Sequence, residues 1–342
     1  MSFALTSRAF QDPAQRRLFN RFHIFLFGED TSEDDPVFLR LVSRIDGTIS
    51  DKRLSSYISC LQLEPRGYVD MARHPRILHV VEHLFDGIDR FISLEKLGVV
   101  QMHISCTIAD KLFAFMTSHP LSLDFMDCRY PGDEYIYPKG DIKLIELSLH
   151  HMRFAIPPTE TFVARLLEPS RTNLKKLSYG TMASTSISSL PPLLPSLVSL
   201  TIGYQGSEAD AFREFLLQSN GLEELRLRPD SMVFYLPPTA LPVLRSLSAS
   251  ASWVTALVPG RPLTSVDISS GDDDYDLLDT VPQLKHSTRP VTDLNLWILT
   301  RKSSNMKYIL SSIVQCVPHL QNLVIFFNKT VGTLRRCCHI LY

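Results

Sequence analysis

An apolar pattern of the form L-x-x-L-x-L, in which other apolar residues also fill the three fixed positions, recurs along most of the chain. The copies are Ile58, Leu61 and Leu63; Leu94, Leu97 and Val99; Leu144, Leu147 and Leu149; Leu174, Leu177 and Tyr179; Leu197, Leu200 and Ile202; Leu222, Leu225 and Leu227; Leu244, Leu247 and Ala249; Leu263, Val266 and Ile268; Val291, Leu294 and Leu296; and Leu320, Leu323 and Ile325. Leu121 and Leu123 form a further, degenerate copy that begins at Ser118. We expect stacked repeats, because no single copy is large enough to bury its own apolar residues.

The spacing indicates the type of repeat. The last two apolar residues of a copy are two positions apart, so on a strand both point to one face. Most copies follow one another at intervals in or near the roughly 20 to 29 residues of leucine-rich repeats. The sequence therefore predicts an α/β fold, an irregular leucine-rich-repeat solenoid (horseshoe) with short parallel strands on the concave face and helices or loops on the convex face. The alternative is that such alternation arises by chance in another α/β protein.

The predicted solenoid is irregular because the copies lack a feature of regular leucine-rich repeats. Those repeats carry Asn or Cys three residues after the third apolar position, and here only the last copy does so, with Asn328. Between the copies, apolar residues at helical spacing predict helices over 77–92 and 305–317. The segments 181–196, 229–243 and 250–262 are rich in Pro and Ser, and we expect loops or short turns there.

The N-terminal residues carry a resemblance to a known family. Leu5-Thr6-Ser7-Arg8-Ala9-Phe10 followed by Ala14-x-x-x-Leu18-Phe19 is similar to the end of the F-box in fungal F-box proteins with leucine-rich repeats. Arg21-Phe22-His23-Ile24 as a first strand and Phe38-Leu39-Arg40-Leu41-Val42 as a helix also resemble that family. The resemblance implies a partial F-box with the first strand over 1–27, acting as an N-terminal cap, and a repeat solenoid over 28–342.

This resemblance implies a function in protein recognition. In the family, the F-box docks on a Skp-type adaptor of a cullin-RING ubiquitin ligase, and the repeats hold the substrate protein. The adaptor-contact residues that it implies are Leu5, Phe10, Leu18 and Phe19. The opening phrase of the box and its first helix are not in this sequence, so we expect docking on a Skp-type partner to be weakened. The alternative is a standalone repeat scaffold, in which residues 1–27 cap the first repeat because solenoids need covered ends.

One short motif offers a different chemistry. His79-Val80-Val81-Glu82-His83 matches the H-x-x-E-H pattern of inverse zinc proteases, and helical spacing brings its polar residues together. Glu146 or Glu160 could serve as a third ligand of such a zinc hydrolase. We favour the interpretation that these residues are the polar face of an amphipathic helix. No nucleophile elbow, P-loop or dinucleotide-binding glycine motif occurs, and we predict a protein that is not an enzyme and has no cofactor or metal.

The composition of the chain argues against some classes of partner and indicates a cellular compartment. Lys and Arg number 35 against 36 Asp and Glu, a formal net charge of −1, which argues against a broadly basic nucleic-acid binder. No apolar run is long enough to span a membrane. Six Cys in 342 residues are too few for a disulfide scaffold, so we expect a reducing compartment, the cytoplasm or the nucleus.

The remaining candidate site is a surface. Residues that alternate with the buried strand positions should face the concave side, and those in the middle of this face are small and polar. Large side chains concentrate binding energy in protein interfaces, and Trp and Arg are frequent anchors. The predicted partner-binding residues are Arg226, Arg228, Asn295, Trp297 and Phe326. The alternative is that Trp297 and Phe326 only cover the last, uncapped strands of the solenoid, or that an extra segment folds over them.

Overall fold

The chain is built largely from short strands in which apolar residues alternate with other residues. A computed structural model describes residues 8–27, 36–66, 75–102, 104–128, 140–150, 166–179, 190–191, 193–203, 208–228, 232–269, 275–298, 305–327 and 336–341. The chain divides into two units, Met1–Leu174 and Lys175–Tyr342. The boundary predicted from the sequence, between a cap over 1–27 and a solenoid over 28–342, does not concern this division into two units. It stays a prediction.

The described residues of the first unit contain five parallel strands that pair in chain order. They are β1 (Arg21–Phe27), β2 (Cys60–Arg66), β3 (Lys96–Val100), β4 (Leu121–Met126) and β5 (Leu144–His150). The pairing register aligns Leu61, Leu97, Leu123 and Leu147 in one row across β2 to β5. All four leucines are buried. The middle positions of the repeat pattern therefore form a continuous apolar row in this unit. The register predicted from Ser118 was wrong, because Leu123 and not Leu121 lies in this row.

The second unit repeats this arrangement, with seven parallel strands and one antiparallel strand in the part that the structure describes. They are β6 (Lys176–Tyr179), β7 (Ser199–Ile202), β8 (Glu224–Leu227), β9 (Ser246–Ser250), β10 (Ser265–Ser269), β11 (Asp293–Ile298), β12 (Asn322–Phe327) and β13 (Arg336–Leu341). The middle repeat positions again align, from Leu177 in β6 to Leu323 in β12. The antiparallel β13 pairs with β12 and was not predicted. The α/β class with short parallel strands is confirmed.

Helices connect many of the strands. They are α1 (Arg8–Phe19), α2 (Pro36–Ser50), α3 (Lys52–Ser55), α4 (Pro75–Asp86), α5 (Cys106–Ser118), α6 (Ala209–Gln218), α7 (Ala251–Leu257), α8 (Tyr275–Thr280) and α9 (Met306–Cys316). Side-chain caps fix two of their starts, since Asp51 accepts hydrogen bonds from the first turn of α3 and Ser105 accepts one from the first turn of α5. No helix in the described ranges is long and apolar enough to cross a membrane.

Two helix predictions need correction. The helix predicted over 77–92 ends at Asp86, and Ile92 lies outside it with 64% of its surface exposed. The segment 250–262, predicted as a loop, contains helix α7. Trp253, Val254 and Leu257 in α7 are fully buried, and the helix contacts β9 and β10. The burial of these three side chains stabilises the helix, which the Ser- and Pro-rich composition of the segment did not indicate.

Candidate functional site

The strands of the second unit present one polar face to solvent. Along β7 to β12, buried apolar residues alternate with residues that are half-buried or exposed. We call the latter set the exposed strand face. It consists of Ser199, Thr201, Glu224, Arg226, Ser246, Ser248, Ser250, Ser265, Asp267, Ser269, Asp293, Asn295, Trp297, Asn322, Val324 and Phe326. This set matches the alternation predicted from the sequence.

An aromatic pair marks one part of this face. Trp297 in β11 is paired in register with Phe326 in β12, and their rings stack with centroids 4.0 Å apart and planes 15° apart. Both residues are half-buried. The stack therefore combines a fixed geometry with apolar surface that is still open to solvent, the combination that anchors of protein interfaces have.

A carboxylate lies next to the aromatic pair. Asp267 in β10 accepts side-chain hydrogen bonds from the Trp297 indole and from the Ser248 hydroxyl. Burial raises the pKa of Asp267 above its ordinary value, while these two hydrogen bonds and the charge of Arg226 act in the opposite direction. Asp267 therefore holds the indole of Trp297 by a hydrogen bond and also interacts electrostatically with Arg226.

Four of the five predicted partner-binding residues lie on the exposed strand face. Arg226 is exposed and lies opposite Ser248, which in turn lies opposite Asp267. Asn295 is the partner of Asp267 in the next strand. Arg228 follows β8 and is half-buried, and its backbone N–H donates to the Ile202 carbonyl. The side chains of Arg226, Asn295, Trp297 and Phe326 therefore share one face with Asp267.

Sequence reasoning placed Asp267 on this face but did not single it out. An isolated carboxylate among serines carries no motif, and its importance comes from its contact with Trp297. The signal that could have found it is the alternation itself, because it puts Asp267 and Asn295 on the same face of adjacent strands. A carboxylate among small side chains can accept a hydrogen bond from a neighbouring indole N–H.

Polar side chains at or next to the first positions of the strands form a row and hydrogen-bond to one another. The Ser199 hydroxyl donates to a Glu224 carboxylate oxygen at 3.0 Å, and the Asn322 amide donates to Asp293 at 2.6 Å. Thr292 donates to the other Asp293 oxygen at 2.7 Å. These groups are already paired, so this row offers a partner fewer unsatisfied groups than a free polar surface would.

Three of the predicted adaptor-contact residues, Phe10, Leu18 and Phe19, belong to helix α1. Leu18 has 56% of its surface exposed and Phe19 is half-buried. Leu5 and the side chain of Phe10 lie outside the described residues. The structure thus places one of the predicted adaptor-contact residues, Leu18, where a partner could reach it.

Helix α1 is tied to α3 through one carboxylate. Asp12 accepts hydrogen bonds from the Tyr57 hydroxyl and from the Arg53 guanidinium, the latter at 2.9 Å. Arg16 lies one turn further along α1, with its Nε 3.3 Å from the carboxylate. The hydrogen bond from Tyr57 and then that from Arg53 lower the pKa of Asp12. These contacts hold α1 against the segment that leads into β2.

The residues of the H-x-x-E-H motif contact neighbouring segments. Glu82 accepts a hydrogen bond from the Ser105 hydroxyl at 2.9 Å, and His83 Nε2 lies 2.7 Å from a carboxylate oxygen of Asp46. His79 is exposed. Glu160 lies outside the described residues. Within the described ranges, no group of three or more His, Cys, Asp or Glu side chains could hold a metal ion.

No protein-family model matches the chain, and no curated protein gives a significant match.

Proposed function

We propose that this chain is a protein-interaction module resembling the substrate-recognition subunit of a Skp-cullin-RING ubiquitin ligase. In this proposal the parallel strands and helices form irregular leucine-rich repeats, and the exposed strand face binds the substrate protein. The observation that carries the proposal is the stacked pair of Trp297 and Phe326, with Asp267 hydrogen-bonded to the Trp297 indole.

Physical chemistry favours this part of the face as the centre of an interface. Burying an aromatic side chain removes a large apolar area from water, and ordering costs little because the stack already restricts both rings. The serines of β9 offer few atoms to desolvate. A partner that covers the stack would shield the charges of Asp267 and Arg226 from solvent and strengthen their interaction.

The ligase role requires contact with a Skp-type adaptor through α1. The exposed Leu18 supports this role, because an apolar side chain open to solvent on a helix can enter a groove of a partner. The test is co-purification of the full chain with recombinant adaptor at micromolar concentration. We expect a weak complex that Leu18→Asp abolishes and that Leu193→Asp, an exposed leucine of the second unit, leaves unchanged.

The second candidate is a standalone repeat scaffold without ligase docking. The contacts of Asp12 with Arg53 and Tyr57 favour it, because they fasten α1 to the first unit in the manner of a terminal cap. Under this function no adaptor binds at micromolar concentration, and Asp12→Asn lowers the melting temperature. A complex that persists in Leu18→Asp would contradict the predicted adaptor contact.

A further inference from the structure

The exposed strand face is acidic around the aromatic pair. On β9 to β12, this face carries the carboxylates of Asp267 and Asp293, and its described residues include no Lys, Arg or His. The donors that Asp293 contacts are neutral, namely the Asn322 amide at 2.6 Å and the Thr292 hydroxyl at 2.7 Å. These strands therefore present negative charge to a partner without a cation of their own on the same face.

A partner that covers the aromatic pair must also cover Asp267. The Trp297 indole and the Ser248 hydroxyl donate hydrogen bonds to its carboxylate, which is half-buried on the same face. A protein surface placed over Trp297 therefore removes more water from Asp267. Taking a carboxylate out of water is costly unless a donor or an opposite charge replaces the lost hydration.

The contacts that Asp267 already makes do not offset this cost. Burial raises its pKa even though both hydrogen bonds and the charge of Arg226 act in the opposite direction. Arg226 lies in β8, two strands away from Asp267, and Ser248 of β9 lies between them in register. The ionised carboxylate is thus less well stabilised than in water, and a covering surface that brings a further cation would correct this.

Small side chains leave room for such a cation beside the indole. Phe326 of β12 stacks on one face of the Trp297 ring. In register, Ser269 of β10 lies opposite Trp297 on the other side, and Ser250 of β9 lies next to Ser269. The second face of the indole is therefore directed toward two serines. A long side chain above them runs along the ring toward Asp267, two residues earlier on β10.

We propose that the exposed strand face binds a basic segment of its partner, with a lysine or arginine side chain lying along the Trp297 indole and its positive charge at Asp267. This inference rests on the proposed function as an interaction module. The aliphatic stem of such a side chain packs against the ring, and the ring face attracts its charge. An acidic segment would instead be repelled by Asp267 and Asp293.

The test follows the indole N–H signals of the full chain by NMR. The chain contains two tryptophans, and Trp253 is fully buried, so only the Trp297 signal reports on the exposed strand face. The probe is the blocked peptide acetyl-Gly-Arg-Gly-Arg-Gly-amide, and its control has citrulline, a neutral isostere, in place of arginine. We expect the arginine peptide to shift the Trp297 signal and to bind about tenfold or more tightly than the citrulline peptide.

Two charge-removing variants provide the matched comparison. Asp267→Asn keeps an acceptor for the indole N–H but removes the charge, and it should weaken binding of the arginine peptide by about tenfold or more. Asp279→Asn removes the same charge from an exposed position of α8 and should leave binding unchanged. An unchanged Trp253 signal shows that each variant is folded.

The outcomes separate this inference from the proposed function. Equal binding of the two peptides, or a preference for arginine that persists in Asp267→Asn, would overturn the basic segment and still leave Trp297 as a binding anchor. The absence of any shift at Trp297 would overturn the inference as well. Whether the face binds a protein at all is decided separately, by the affinity of Trp297→Ala for a purified partner.

Discussion

Trp297 stacks on Phe326 and at the same time donates a hydrogen bond from its indole to Asp267. The two contacts use different parts of the indole, its face and its N–H group. They fix the ring on the exposed strand face and leave part of its apolar surface open. A side chain held in this way loses little conformational freedom when a partner covers it.

The first prediction concerns the carboxyl group of Asp267. Because burial raises its pKa, the midpoint of its titration in the folded chain should lie above the ordinary aspartate value of 3.8. Trp297→Phe keeps an aromatic ring but removes the indole donor, so it should raise the pKa further. NMR titration of the carboxyl carbon measures both values, with Ser265→Ala on the same strand as the control. A midpoint below 3.8 would show that hydrogen bonding outweighs burial.

The same shift has a consequence for stability. A raised folded-state pKa means that the folded chain binds this proton more tightly than the unfolded chain does, so ionisation of Asp267 opposes folding. The penalty is absent below pH 3.8 and complete above the folded-state pKa. Asp267→Asn should therefore increase the free energy of unfolding at pH 7, and the difference from the natural chain should shrink as the pH falls through this window.

The second prediction concerns the apolar row of the second unit. Leu225 is fully buried and lies in register between Leu200 and Leu247. Leu225→Ala should lower the free energy of unfolding by about 2 to 5 kcal/mol, because it removes apolar contacts and leaves a cavity. Chemical denaturation measures the loss. Val314→Ala, at an exposed position of α9, should change the value by less than about 0.5 kcal/mol.

The third prediction concerns a fully buried cation. Arg261 donates to the backbone carbonyls of Ala240, Leu257, Pro259 and Pro237 at 2.7 to 3.2 Å. Burial lowers its pKa to about 10, so it remains charged at neutral pH.

Arg261→Met should lower the free energy of unfolding by about 3 kcal/mol or more, because it leaves several buried carbonyls without donors. The exposed Arg289→Met is the matched control and should have little effect. Equal denaturation curves for the two variants would show that water replaces the guanidinium.

The repeat pattern predicted the strands well because burial follows directly from alternation. Leu147, Leu200 and Leu294 each lie in a strand and are almost fully buried, as their positions in the pattern require. Arg226 and Trp297 lie on the opposite face for the same reason. A period of two is a local property, so a single sequence can specify it.

Features that depend on distant contacts were not predictable. The buried role of Arg261 depends on carbonyls up to 24 residues away, and nothing near it in the sequence indicates them. Gly98 and Asp124 become neighbours only through the register of β3 and β4. Helix α7 forms because tertiary packing buries Trp253 in the core. The local composition around Trp253 does not indicate this burial.

The fourth prediction concerns where a partner binds. A photo-cross-linking residue at Phe326 should capture a discrete protein, and the same residue at Tyr308, an exposed position on α9, should not capture it. Capture of the same proteins from both positions would indicate that the exposed strand face has no special role. The protein that is captured can then be purified for a direct measurement.

The most direct test of the central claim is to measure the affinity for that purified partner and the melting temperature on one sample of Trp297→Ala. We predict that binding weakens by at least about 2 kcal/mol, roughly thirtyfold, while the melting temperature changes little. Ser246→Ala and Ser250→Ala should change the affinity by much less. A binding loss that only follows a fall in melting temperature, or equal losses at the serines and at Trp297, would contradict the assignment of this face as the binding site.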